Sequence, residues 1–168
     1  LRLTWDAIGN ALYTSVENYN GDFGSDFTTL TVDGNDQLLS GNSTTFAMPA
    51  SAFELNASLV AINDEAESVT SLGDGVLRDC IELTTAIFPV CTSTSINTFK
   101  DSPFLTTVTM PLCADLGGTT GDDSVFNGVS GNTITLTIAA SRETCDGGNP
   151  DGDIVYLAAN NTATIIYV

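Results

Sequence analysis

The chain has 168 residues, 42% of them hydrophobic, and a net charge of −17, which together predict one folded domain with a core of its own. The acidity argues against nucleic acid and anionic membrane surfaces as partners, because both require a basic face. No apolar run approaches the roughly 20 residues of a membrane-spanning helix, and we interpret the Leu at position 1 as the start of an exported chain whose signal segment has been removed.

Short strands are the first elements that the sequence predicts. Residues 1–7 alternate apolar and polar, which predicts a strand with one buried face. An amphipathic helix also fits the spacing of Trp5, Ile8, Leu12 and Val16, so we favour a strand for the first seven residues and leave 8–16 unassigned. Residues 53–61 have the longest period-two pattern, which predicts a strand with one wet face. Further strands are predicted at 28–32, 45–48 and 66–72.

The middle of the chain changes period. A helix is predicted to end before Pro89, because the residues ahead of it have helical spacing: Leu77, Cys80, Ile81, Thr84, Ile87 and Phe88. Strands are then predicted at 104–110, with Val108, Met110 and Leu112 alternating, and at 132–139, with Ile134, Leu136 and Ile138 inward. A long Gly-rich loop is predicted at 114–131.

The C-terminal stretch predicts a β-hairpin. An acidic loop at 145–153 leads into apolar residues 154–159, an Asn160-Asn161 turn and a strand at 162–168. No internal repeat of fixed period is apparent. Many short strands with Gly, Asn and Asp turns predict a mainly β chain. We expect residues 1–168 to form one antiparallel β-sandwich or jelly-roll-like domain with at most one or two short helices.

Four cysteines lie at positions 80, 91, 113 and 145. Because the chain looks exported, their even number predicts two disulfides. Three connectivities are open, of which we favour Cys80–Cys91 with Cys113–Cys145. The alternative is four buried free thiols. A zinc site is not expected, because the chain has no His and no Cys-x-x-Cys.

The sequence contains no catalytic signature. The absence of His excludes Ser-His-Asp and Cys-His machinery, so we interpret the chain as a non-enzyme. The acidic loop supplies four oxygen ligands of the type that calcium prefers, namely Asp146, Asn149, Asp151 and Asp153. The alternative is that these side chains make turns through local hydrogen bonds. Three Asn-x-Ser/Thr sequons predict surface glycosylation at Asn42, Asn56 and Asn160.

The first functional hypothesis is an extracellular structural subunit that polymerises with copies of itself into a filament or pilus. In it, the N-terminal strand (residues 1–8) inserts into a neighbour's sheet through Leu1, Leu3, Trp5 and Ala7, and the 162–168 strand is the alternative donor. The second hypothesis is a secreted, calcium-dependent carbohydrate-binding or adhesion module. The third is a viral coat or tail jelly-roll subunit.

Overall fold

The chain folds as a parallel β-solenoid of about three turns. The structure is a computed structural model, and it describes residues 29–32, 46–48, 50–57, 59–64, 67, 69–118 and 124–168. Its strands are β1 (Thr29–Val32), β2 (Phe46–Met48), β3 (Ala61–Asp64), β4 (Val69–Leu72), β5 (Thr85–Ile87), β6 (Ser93–Ser95), β7 (Thr107–Met110), β8 (Asp115–Gly117), β9 (Thr133–Ile138) and β10 (Thr162–Tyr167).

The strands form two sheets that run along the solenoid. One has six strands in the order β1-β3-β5-β7-β9-β10, and the other has four in the order β2-β4-β6-β8. Every pair of neighbouring strands is parallel. The predicted antiparallel sandwich or jelly roll is therefore wrong. From β1 to β9, successive strands alternate between the two sheets, and each strand pairs with a strand one turn away.

A repeat of 22 residues accounts for this pairing. Val69, Cys91 and Cys113 follow one another at that interval, and the two copies that begin at 69 and 91 also share Asp, Leu, Thr-Thr and Pro at equivalent positions. One copy cannot bury its inward side chains alone, so stacked copies share a continuous core. The sequence-based expectation of no fixed repeat missed this period.

The core consists of columns of inward side chains, one from each turn. Along the six-stranded sheet, Ile62, Ala86, Val108 and Leu136 are aligned by strand register and fully buried. A second column, which consists of Leu59, Leu83 and Leu105, is equally buried.

A third wall without regular strands closes each turn, and it consists of residues 50–57, 74–80, 97–102 and 124–129. Backbone hydrogen bonds link its successive layers, as from Leu77 N to Thr98 O at 2.9 Å. The wall bends through positive-φ residues that recur in two columns, and Gly128 at φ 77° ends one of them. Inside the wall, the Phe99 and Phe126 rings stack with centroids 5.5 Å apart.

A helix closes the C-terminal end of the solenoid. Helix α1 (Gly152–Asn160) takes the place of a further third-wall layer, and the backbone N–H of Gly131 donates to its Asn160 carbonyl. Asp151 caps the helix by accepting from Asp153 N at 2.9 Å, and Ile154 and Leu157 turn inward. The strand predicted at 154–159 is therefore helical.

Three other predictions of elements are wrong. The Gly-rich loop expected at 114–131 contains β8 and the third-wall layer at 124–129. The region expected to be a helix, residues 77–88, consists of third-wall turns followed by β5. Residues 53–61 are mostly third wall rather than strand, and Leu55 is 69% exposed. The strands predicted at 28–32, 45–48, 66–72, 104–110, 132–139 and 162–168 are confirmed, with small shifts of their ends. Ile134, Leu136 and Ile138 are buried as predicted, whereas Leu112 is 52% exposed.

Candidate functional site

The first feature with functional potential is the outer edge of β10, which is free of any described strand. This strand ends the six-stranded sheet and pairs with β9 on one side only. The N–H groups of Thr162 and Val168 donate to carbonyls of the β9 segment at 2.8 and 3.0 Å. Because the direction of these groups alternates along a strand, those of Ala163, Ile165 and Tyr167 point away from β9. No described residue pairs with them.

This edge lacks the devices that normally block strand pairing. Natural edges carry charges, prolines or bulges, but residues 162–168 contain neither a charged side chain nor Pro. Ile166 and Val168 are 42% and 57% exposed. Ile165 and Tyr167 are only partly buried, and they pack against the last layer of the core. The end of the solenoid therefore presents apolar surface next to backbone groups that no described residue pairs.

The second feature is the outer surface of the six-stranded sheet, which we call the threonine face. Its strands alternate buried and outward residues, and most of the outward positions in β5, β7, β9 and β10 are threonine. These residues are Thr85, Thr107, Thr109, Thr133, Thr135, Thr137, Thr162 and Thr164. The remaining outward positions from β3 to β10 are Ala61, Asn63, Ile87 and Ile166, so none is charged.

In the two copies that begin at 69 and 91, every charged residue except Glu82 lies instead on the third wall. Arg78 forms an ion pair with Glu54 and stands one layer away from Lys100. Asp79 is likewise stacked on Asp101, and burial together with the Asp101 charge raises the pKa of Asp79. Like charges in consecutive turns are thus tolerated by this solenoid.

The four predicted calcium ligands do not converge. Asp146 and Asn149 are exposed and pair with each other through their backbones. Asp151 caps α1 and forms an ion pair with Arg142 at 3.3 Å. Asp153 is fully buried and accepts the Val125 N–H at 2.8 Å. Among the described residues, no three His, Cys, Asp or Glu side chains are close enough to hold a metal ion.

Asp153 has a strongly perturbed carboxyl. Burial raises its pKa to about 6, against the opposing effect of hydrogen bonds from Ser124 and from the Val125 backbone. It lies where α1 meets the third wall, and a side chain added at Gly118 would collide with it. The carboxyl therefore holds the cap onto the solenoid.

The cysteines are free thiols, so both predicted disulfides are wrong. Cys80 belongs to the third wall, where burial raises its pKa to about 12. Cys91 and Cys113 stack in consecutive turns, each two residues before its strand (β6 and β8), and their mutual hydrogen bond and burial raise the pKa of Cys91. Cys145 is exposed in the loop before α1. The favoured partners thus lie in different parts of each turn.

Two of the three predicted glycosylation sites lie among the described residues. Asn56 is 3% exposed and its side-chain oxygen accepts the Leu59 N–H, so it is inaccessible to a glycosyltransferase in the folded chain. Asn160 is exposed at the end of α1. Asn42 and the proposed donor residues Leu1, Leu3, Trp5 and Ala7 lie outside the described residues.

Comparison with known proteins gives no family for this chain: no family model, no curated protein and no solved structure matches it. Among the described helices, none is both long and apolar enough to span a bilayer. Sequence analysis identified the β10 strand but missed the threonine face. The Thr-x-Thr pattern at 107–109, 133–137 and 162–164 is the signal that could have found it.

Proposed function

We propose that this chain is an extracellular structural subunit whose copies join through the ends of their solenoids. The observation that carries the proposal is the unblocked edge of β10. Strand addition to a free edge supplies main-chain hydrogen bonds, and adjacent side chains supply apolar contact. No catalytic step forms part of this role.

The proposed joint differs from the donated strand that the sequence suggested. Residues 162–167 are already paired within their own sheet, so this end offers an edge and gives up no strand. Among the described residues, the opposite edge of the same sheet is β1. Addition of β10 to the β1 edge of the next copy would continue the parallel order, and such a head-to-tail contact does not close on itself. The product is a filament.

Charge regulates this assembly. Each copy carries −17, so two copies repel at low ionic strength. The edge itself is neutral, and repulsion between the remaining surfaces is screened over about 10 Å at roughly 0.1 M salt. Assembly should therefore increase with added salt and at acidic pH.

The test is the substitution Ala163→Pro. It removes one N–H that points away from β9, and no hydrogen bond between β9 and β10 is lost, as edge strands tolerate. Ala163→Val is the matched control, because it enlarges the same half-buried side chain and keeps the N–H. We expect wild type and Ala163→Val to form salt-dependent filaments, seen by light scattering and negative-stain microscopy, and Ala163→Pro to stay monomeric. Monomeric wild type, or filaments of Ala163→Pro, would contradict the proposal.

A second candidate, the adhesion module, is favoured by the pattern of the repeat. Leu83, Ala86, Phe88 and Cys91 have the spacing Leu-x-x-apolar-x-apolar-x-x-Cys, and the next copy repeats it from Leu105. Leucine-rich repeats have this spacing, and repeat solenoids of this kind serve as extended binding surfaces. Calcium is not required for this version.

The adhesion candidate is tested on cellulose and chitin particles by co-sedimentation. Thr107→Tyr places a ring in the middle of the threonine face, and Ser93→Tyr places the same ring on the outer face of the four-stranded sheet. Binding that only Thr107→Tyr abolishes supports a carbohydrate-binding module. Absence of wild-type binding, or equal binding by both variants, rules out carbohydrate adhesion through this face.

A further inference from the structure

The threonine face has a regular two-dimensional arrangement. Thr85, Thr107, Thr135 and Thr164 occupy one register position in four consecutive strands. A parallel row next to it begins at Ile87, continues through Thr109 and Thr137, and ends at Ile166. Neighbouring strands are about 4.8 Å apart and alternate residues of one strand about 6.6 Å apart. Outward side chains therefore repeat in rows on a backbone that hydrogen bonds hold rigid.

The hydroxyl groups divide the threonines of this solenoid into two kinds. Thr84, Thr92 and Thr106 lie beside the sheets, and their hydroxyls donate to carbonyls of the preceding turn at 3.0–3.1 Å. The hydroxyls of the face, at Thr107, Thr109, Thr133, Thr135, Thr137, Thr162 and Thr164, have no hydrogen-bond partner among the described residues. The first kind stabilises the stack of turns, whereas the second is left for a ligand or solvent.

Strand propensity alone does not account for the face. Threonine is a good strand former, and like charges directly opposite each other destabilise a ladder. If these were the only reasons for the uncharged rows, the rest of the solenoid should also avoid stacking like charges. The third wall does not avoid them, because Arg78 stands next to Lys100 and Asp79 next to Asp101. A chain with 21 acids nevertheless keeps every outward position of the six-stranded sheet from β3 to β10 uncharged.

We propose that the threonine face adsorbs to ice. The row spacing along the solenoid lies close to an oxygen–oxygen repeat of hexagonal ice, so hydroxyls of successive turns can each hydrogen-bond to water of one lattice row. The methyl groups fit between these waters without offering competing donors. Charged side chains would impose their own hydration on the lattice, and the face has none. Protein adsorbed this way stops growth of the crystal plane that it covers.

The experiment measures thermal hysteresis and crystal shape in a nanolitre osmometer, with purified wild type, Thr107→Tyr and Ser93→Tyr. Tyrosine is a good strand residue, and circular dichroism checks that all three fold alike. We expect wild type and Ser93→Tyr to produce hysteresis and faceted crystals, and Thr107→Tyr to lose both. Round crystals without hysteresis in wild type would overturn the inference, as would full activity of Thr107→Tyr in a folded protein.

Failure of this inference is distinguishable from failure of the proposed function. Hysteresis is measured on monomers of Ala163→Pro as well, because that substitution leaves the threonine rows in place. Hysteresis in these monomers supports ice adsorption whether or not filaments form. Filaments of wild type with no hysteresis would overturn ice adsorption alone. Sedimentation with cellulose or chitin but not with ice crystals would assign the face to carbohydrate and likewise overturn ice adsorption.

Discussion

The buried carboxyl of Asp153 predicts a specific dependence of stability on pH. Its pKa of about 6 compares with an ordinary value of 3.8, because burial opposes the charged form. The folded chain therefore keeps this proton at pH values where the unfolded chain has lost it. Stability from this group is fully present below about pH 4 and is lost as the pH rises through about 6, by up to about 3 kcal/mol.

The substitution Asp153→Asn tests this reasoning. Asn keeps an oxygen that can accept the Val125 N–H but does not ionise, so the variant should match wild type at about pH 4 and exceed it by up to about 3 kcal/mol at about pH 7.5. Urea unfolding at both pH values gives the two differences. Asp146→Asn, at an exposed acid, is the control for the general loss of negative charge. An Asp153→Asn effect that is the same at both pH values would refute the assigned role of burial.

Three further predictions concern the core, the third wall and the thiols. Leu105→Ala should cost about 2–5 kcal/mol in urea unfolding because it leaves a cavity in the core, whereas Leu112→Ala, at a half-exposed position, should cost less than about 0.5 kcal/mol. Gly128→Ala should destabilise the protein more than Gly131→Ala. Both glycines have φ 77°, but only at Gly128 would a Cβ collide with Asp101. Equal melting temperatures of the two variants would contradict this. A thiol reagent should modify Cys145 alone in the folded protein and all four cysteines in urea, and fewer than four reactive thiols in urea would show a disulfide.

The sequence predicted individual strands well where one face is buried. In β9, Ile134, Leu136 and Ile138 alternate with threonines, and this pattern alone predicts a strand with those residues inward. The alternation does not indicate the direction of the partner strand. Parallel pairing follows from the repeat between turns. That repeat is difficult to detect in the sequence, because only the copies beginning at 69 and 91 have equal length and matching residues.

The third wall misled the interpretation of periodicity. The buried residues Leu77 and Cys80 of the wall and Leu83 just after it recur every third position, which imitates an amphipathic helix. The spacing comes instead from tight turns through positive-φ residues such as Asp79. Conversely, residues 154–159 include Ile and Val and resemble a strand, but their position on the third wall leaves no strand to pair with. Asp151 then caps them as a helix.

The sequence predicted one part of the candidate site, the strand at 162–168. It did not predict the outer edge of that strand or the threonine rows. Both depend on which turns lie side by side, and that is fixed by the register of β7, β9 and β10. The acidic loop is the converse case. Its four oxygen-bearing side chains are close in sequence, but α1 turns Asp153 into the protein and leaves Asp146 outside.

The central claim is that copies join at the outer edge of β10, and amide hydrogen exchange of that strand tests it most directly. In dilute monomer at low salt, the amides of Thr162, Thr164 and Ile166 should be protected by β9, and those of Ala163, Ile165 and Tyr167 should exchange freely. After assembly in salt, the second set should become protected as well. Free exchange of these three amides within assembled material would contradict the claim.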